Sequence, residues 1–179
     1  MSGPILGAVL AGGRSSRFGS DKAAALFRGR SLLDHAVARL APQVDAVVIA
    51  GRPHSTLPWT PDRPAPDMGP LGGLCGALAY AGEHGYQAVA TIGCDMPLFD
   101  LGLVAALEGE GPAVLVDCPI VGFWPSSLAP VLETYLTANG DRAVRRWAER
   151  VGARRVFRQS VVANVNTPSD LHRLAGAQR

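Results

Sequence analysis

Leu10-Ala-Gly-Gly-Arg-Ser-Ser-Arg-Phe-Gly-Ser-Asp-Lys22 follows directly on an apolar run, Ile5-Leu-Gly-Ala-Val-Leu10, and the join between the two decides the fold. The run predicts a short buried strand. Gly12, Gly13 and Gly19 then allow the backbone to turn sharply and to approach a ligand closely. Arg14, Arg17 and Lys22 set cations in the same turn, where polyphosphate oxygens would require them. A strand running into a glycine-rich, cation-bearing loop predicts phosphate binding. The spacing is not that of a Walker loop, because Ser20 and Asp21 stand between Gly19 and Lys22, and the dinucleotide fingerprint is also absent.

Working outward, the 179 residues suit a single domain spanning 1–179, long enough to bury a core. Apolar residues make up 47% and charged residues 18%, which excludes a disordered chain. A formal charge of +2 without any Lys/Arg run argues against a nucleic-acid surface. No apolar stretch approaches membrane-spanning length, and the first residues lack the pattern of a signal peptide. Cys75, Cys94 and Cys118 are odd in number and widely spaced, so neither a disulfide framework nor a zinc knuckle is expected. A reducing cytoplasm is the expected location.

Further elements alternate in type. Ser31 with Asp34 reads as a capping box for a helix whose core face is Leu32, Leu33, Ala36, Val37 and Leu40, closed by Pro42. Val44 to Ala50 reads as a second strand with Gly51-Arg-Pro53 as its exit turn. The proline-rich stretch Leu57 to Met68 reads as an extended connection. Gly69-Pro-Leu-Gly-Gly73 opens a helix to about Glu83, and those glycines fit an anion-binding helix start and a plain entry with Pro in its first turn equally well. Gln87 to Gly93 reads as a strand buried on both faces. Asp95, in Cys94-Asp-Met-Pro97, stands at its carboxyl end, the place of a magnesium ligand in open α/β sheets. Asp100 serves as the cap for a helix over 101–108.

Ala113 to Val116 and Ile120 to Trp124 read as short strands, and 126–136 and 141–151 as helices. Arg142, Arg145 and Arg146 on the second helix read as a solvated face. Arg154 to Arg158 reads as an exposed edge strand. Thr167-Pro-Ser-Asp170 opens a short terminal helix after Val161 to Asn166. The class is therefore α/β with a mainly parallel sheet.

The opening loop resembles that of the nucleotidyltransferases that make molybdenum cofactor dinucleotides, the guanylyltransferase family above all. Three further blocks carry the resemblance over most of the chain: Asp62 with Gly69-Pro-Leu-Gly-Gly73, Cys94-Asp-Met-Pro97, and Asn164-Val-Asn-Thr-Pro-Ser-Asp-Leu171. The resemblance implies a Rossmann-like, glycosyltransferase-A type fold with helices on both faces. It implies transfer of GMP from GTP to molybdopterin with release of pyrophosphate, and Mg²⁺ as cofactor. By the same resemblance Leu10, Ala11, Gly12, Lys22, Asp62 and Asp95 bind the guanine nucleotide, and Asp95 holds Mg²⁺. Gly13, Ala50 and Gly69 join the nucleotide set through their backbones. Lys22 and Arg17 are assigned to the β- and γ-phosphates as catalytic cations, and Asn164 and Asn166 to molybdopterin. Molybdoenzymes or their chaperones are the implied further partners.

The second strand ends Ile49-Ala-Gly51 where related enzymes often carry an Asn, which leaves only backbone groups there. Gly12, without a Cβ, is expected to leave room for a purine. The competing readings are a cytidylyltransferase or other NTP transferase, and a GTP-binding regulator without chemistry. Lys22 and Asp95, both present, speak against the last.

Overall fold

The computed structural model describes residues 3–12, 22–138, 141–158, 165, 167, 169 and 170. In chain order the elements are β1 (Ile5–Leu10), a hairpin of β2 (Leu26–Phe27) and β3 (Arg30–Ser31), α1 (Leu32–Leu40), β4 (Ala46–Ala50), β5 (Trp59–Thr60) and α2 (Pro70–Glu83). There follow β6 (Ala88–Gly93), α3 (Leu103–Leu107), β7 (Ala113–Leu115), β8 (Gly122–Pro125), α4 (Ala129–Ala138), α5 (Val144–Arg150) and β9 (Arg154–Val156). Seven strands form one sheet in the order β5-β4-β1-β6-β8-β7-β9. β1 pairs in parallel with β4 and β6, β4 with β5 and β7 with β9, whereas β8 runs antiparallel between β6 and β7. The sheet is therefore mixed and mostly parallel.

Period-two alternation sorts the strand side chains onto two faces. Leu6, Ala8, Leu10, Val48, Ala50 and Val89 pack beneath α2, with α4 and α5 adding Leu132, Leu136 and Trp147 on the same face. Val9, Ile49, Ala90 and Ile92 face the other way, against Leu33, Ala36 and Leu40 of α1 and Leu103, Val104 and Leu107 of α3. Helices thus cover both faces, which explains why β1 and β6 are apolar almost throughout. At Gly7 a Cβ would come within 2.8 Å of the Leu40 side chain, so α1 seats directly on the backbone of β1.

Ser31 caps α1 by accepting the Asp34 N–H at 3.0 Å, and α2 has the expected bounds. Three expectations change. The proline-rich connection contains β5, which extends the sheet by pairing with Ile49 and Ala50. The 26–31 hairpin was not foreseen, being only two residues per strand around a tight turn. The helix after Asp100 is five residues long and starts at Leu103, because the Asp100 carboxylate accepts Gly102 N–H and the Arg158 guanidinium. Arg142, just before α5, and Arg145 and Arg146 within it are exposed, as expected of a solvated face; Arg142 donates to the Asp67 carbonyl at 2.9 Å and Arg146 pairs with Asp141 at 3.0 Å on that surface. Thr167 and Asp170 make the expected reciprocal bonds, Thr167 N–H to the Asp170 carboxylate and Asp170 N–H to the Thr167 hydroxyl. Among the described residues no helix is long and apolar enough to cross a membrane.

Candidate functional site

From β1 the chain crosses to β4 on one side and, through α2, to β6 on the other. β1 is therefore the switch point of the sheet, and the crevice beyond its carboxyl end is where ligands bind in such folds. Lateral backbone bonds knit the strand ends together there. Ala11 N–H donates to the Ala50 carbonyl at 2.9 Å, and Cys94 N–H to the Leu10 carbonyl at 3.1 Å. Leu10, Ala11, Gly12, Ala50 and Asp95, expected at one site from distant parts of the sequence, thus lie along one edge.

Lys22 comes back to that edge in a single 3₁₀ turn and places its Nζ 2.9 Å from Asp95 Oδ2, across 73 positions of sequence. The side chains are 16% and 23% exposed, so the pair is sheltered yet open to a small ligand. At Gly93 a Cβ would collide with Asp95 Oδ1, so this glycine gives the carboxylate its room. Among the described residues no cluster of three His, Cys, Asp or Glu side chains is suited to a metal. One carboxylate whose Oδ1 takes no hydrogen bond among the described residues fits a hard cation that takes its remaining ligands from phosphates and water, as magnesium does. Gly13, Arg17, Asn164 and Asn166 lie outside the described residues.

Asp62 follows β5 and reaches under the turns of β1 and β4. Its Oδ1 is buried without a hydrogen-bond donor among the described residues. Burial pushes its carboxyl above the ordinary Asp value, while a hydrogen bond from the Met68 backbone pulls the other way. Four glycines close on that acid. A Cβ on Gly12 would stand 3.1 Å from Gly51 Cα and 3.3 Å from Asp62 Oδ1, and one on Gly72 only 2.5 Å from Met68 Cβ. A Cβ on Gly51, at φ +90°, would come within 2.7 Å of Gly12 Cα, and Gly73 lies over Leu10 and Ala50. The space beside Gly12 is accordingly filled by Gly51 and Asp62 and is not free for a purine, a correction to the expectation from sequence.

The start of α2 resolves in the same direction. The N–H groups of Gly72 and Gly73 are both taken by the Gly69 carbonyl, at 2.9 and 3.3 Å, and their missing side chains serve packing. Gly69 itself has φ +69° and open space around it.

A polar relay that sequence reading missed runs beneath Asp95. Trp124 Nε1 donates to the Thr91 hydroxyl at 3.0 Å, which donates to the Ile120 carbonyl at 2.7 Å. It fixes the 117–121 turn to β6, two residues below Gly93. A Thr in an otherwise apolar strand was its one sign in the sequence.

Residues 7–163 match the MobA-like NTP transferase domain. A molybdenum cofactor guanylyltransferase from Rhizobium leguminosarum bv. trifolii (strain WSM2304) is 37% identical, over 93% of this chain and 90% of its own. The solved structure of molybdopterin-guanine dinucleotide biosynthesis protein A from Archaeoglobus fulgidus has a TM-score of 0.74 at 22% identity, covering 94% of this chain and 95% of that one. Rv0371c of Mycobacterium tuberculosis, solved as a complex with manganese, has a TM-score of 0.66 at 16% identity, covering 96% and 97%. A mostly parallel sheet with a cation and a carboxylate at its switch point is, in this company, a nucleotidyltransferase. The chain belongs to the molybdenum cofactor guanylyltransferase family, within the MobA-like NTP transferases.

Proposed function

We propose that the protein transfers GMP from GTP to the terminal phosphate of molybdopterin, with the edge of β1, β4 and β6 as its active site. The observation that carries this reading is the Lys22–Asp95 pair at 2.9 Å, which joins a cation and a metal-type carboxylate at the switch point. A molybdopterin phosphate oxygen attacks the α-phosphorus of GTP. A new P–O–P link forms as the bond to the β-phosphate oxygen breaks, and pyrophosphate leaves with its electron pair.

The attacking oxygen is already anionic, so no general base is required and none of His35, His54, His84 or His172 is assigned one. The work is positioning and charge stabilisation. Lys22 and Arg17 neutralise the charge growing on the β- and γ-phosphates. Asp95 Oδ1 would hold the divalent ion, Mg²⁺ in this reading, which supplies positive charge to the phosphates. The manganese complex of the related Rv0371c fold supports a divalent ion here. The backbone of Leu10 to Gly13, with Ala50 and Gly69, cradles the nucleotide, and Asp62 beneath them orders that cradle for guanine. Asn164 and Asn166 contact molybdopterin. Three cysteines without disulfides suit a reducing cytoplasm.

The test is pyrophosphate release from GTP, CTP or ATP with molybdopterin. GTP is expected to be preferred by on the order of 10²-fold, since unmatched buried polar groups are costly. Equal use of CTP would move the protein to the cytidylyltransferases, and no release from any nucleotide would remove it from the enzymes.

A further inference from the structure

Val165 stands between Asn164 and Asn166 and is fully buried, although it belongs to neither of the two main cores. Its side chain packs with Phe27, Leu32 and Ala25 in a small third cluster. That cluster rests on the backbone that carries Lys22: Ala25 N–H donates to the Lys22 carbonyl at 3.2 Å, and Leu32 N–H to the Ala25 carbonyl at 2.9 Å. Val165's own N–H donates to the Asp95 carbonyl at 2.9 Å. One residue thus bears on Lys22's segment with its side chain and on Asp95's turn with its amide. Those two segments come together in the 2.9 Å pair.

We infer that Val165 is a positioning residue that sets the distance between Lys22 and Asp95. A β-branched side chain suits this task because it is stiff at χ1 and transmits the packing of its cluster without slack. The amide bond ties the turn after β6 to the same point. Truncation to Ala leaves a cavity that the cluster closes only in part, and the two functional side chains drift relative to each other. Such drift acts on the transition state, because a misplacement of about 1 Å costs up to 10²-fold in rate. Binding of GTP, spread over the β1 and β4 turns, is hardly touched.

The kinetic part of this inference rests on the GMP-transfer reading, so one arm of the test is independent of it. Val165→Ala, Val165→Ile and a control, Leu107→Ala in α3, are compared with the unmodified protein at temperatures equally far below each melting point. Val165→Ala is expected to lower kcat by about 10-fold with KM for GTP within about twofold. Val165→Ile, which keeps both branches at Cβ, restores kcat to within about threefold. Mn²⁺ added alone and followed by electron paramagnetic resonance is expected to bind several-fold more tightly to Val165→Ala, because an ammonium displaced from its 2.9 Å contact no longer competes for the Asp95 carboxylate. Unchanged Mn²⁺ affinity in Val165→Ala, or a kcat loss no larger than the control's, overturns the inference. If the unmodified protein transfers no nucleotide, the functional reading fails and the Mn²⁺ comparison decides the role of Val165 by itself.

Discussion

On one side of β6, strands β1 and β4 run into glycines pressed against an acid whose Oδ1 has no donor among the described residues. On the other side, the polar groups around β8 and β9 find partners within the fold. Gly12 and Gly51 meet back to back over Asp62, whose Oδ1 is buried without a donor among the described residues. Across the sheet, Trp124, Thr91 and the Ile120 carbonyl complete one another. Arg154 is spent on the carbonyls of Leu107 and Glu108, and Arg158 on Gly102 and Asp100. Trp147 Nε1, buried without an acceptor among the described residues, is an exception on that side.

The difference separates ligand work from framework. An unsatisfied buried group costs stability, and folds retain such costs where function requires them. The side proposed to receive the nucleotide carries an acid with one buried oxygen that has no donor among the described residues, and a single carboxylate beside a glycine. The far side, which only has to hold the 117–121 turn and α3 against β6, is closed by hydrogen bonds. Changes on the first side should therefore act on turnover with little loss of fold, and changes on the second on stability with little loss of turnover.

The largest expected effect is that of Asp95→Ala. It removes the carboxylate that faces Lys22 and is proposed to hold the divalent ion, and turnover should fall by about 10²–10³-fold, the usual cost of one preorganised electrostatic element. Circular dichroism should show an unchanged fold. Turnover near that of the unmodified protein would take the ion away from Asp95.

Thr91→Val tests the opposite side. The two side chains have the same shape, but the change orphans both the Trp124 N–H and the Ile120 carbonyl. The expected cost is about 2 kcal/mol in urea unfolding, with kcat within about twofold at a temperature where both proteins are folded. A large fall in kcat without a loss of stability would mean that the relay belongs to the active site and that the division between the two sides is wrong.

Asp62→Asn should give the smallest change, and one of opposite sign. Burial raises the Asp62 carboxyl above its ordinary value. A group shifted upward on folding favours the native state most below its unfolded pKa, and that advantage is lost as pH rises through the folded value. Asn cannot ionise, so the variant should gain in melting temperature over the unmodified protein as pH rises from acid towards neutrality, while its use of GTP weakens. A difference in melting temperature that stays flat with pH would show that Asp62 is not strained by its burial.

The elements were legible where local chemistry is unambiguous. β1, α1 and α2 have the bounds that apolar runs, the Ser31–Asp34 cap and Pro70 dictate. Lys22 and Asp95, which the structure pairs, stood out in the sequence as candidates because a glycine-rich turn after one buried strand and an acid after another have few structural uses. β5 and the 26–31 hairpin were not, since two-residue strands carry no period to read. Nor was the purpose of the glycines: Gly12 suggested space for a purine, and those opening α2 fitted an anion site and a plain helix entry equally, whereas packing fills the space beside them with Gly51, Asp62, Met68 and Leu10.

What the sequence determined by itself is the alternation of strand and helix, the apolar strands covered on both faces, and the polar residues left at the strand ends. These follow from propensity and burial, which act on neighbours along the chain. Only the tertiary structure decided which ends meet. The 73 positions between Lys22 and Asp95, the 33 between Thr91 and Trp124, and the backbone bond from Val165 to Asp95 are closed by the strand order β5-β4-β1-β6-β8-β7-β9. That order is set by how two helical layers pack onto one twisted sheet, a condition satisfied by the whole chain at once and carried by no single stretch of it.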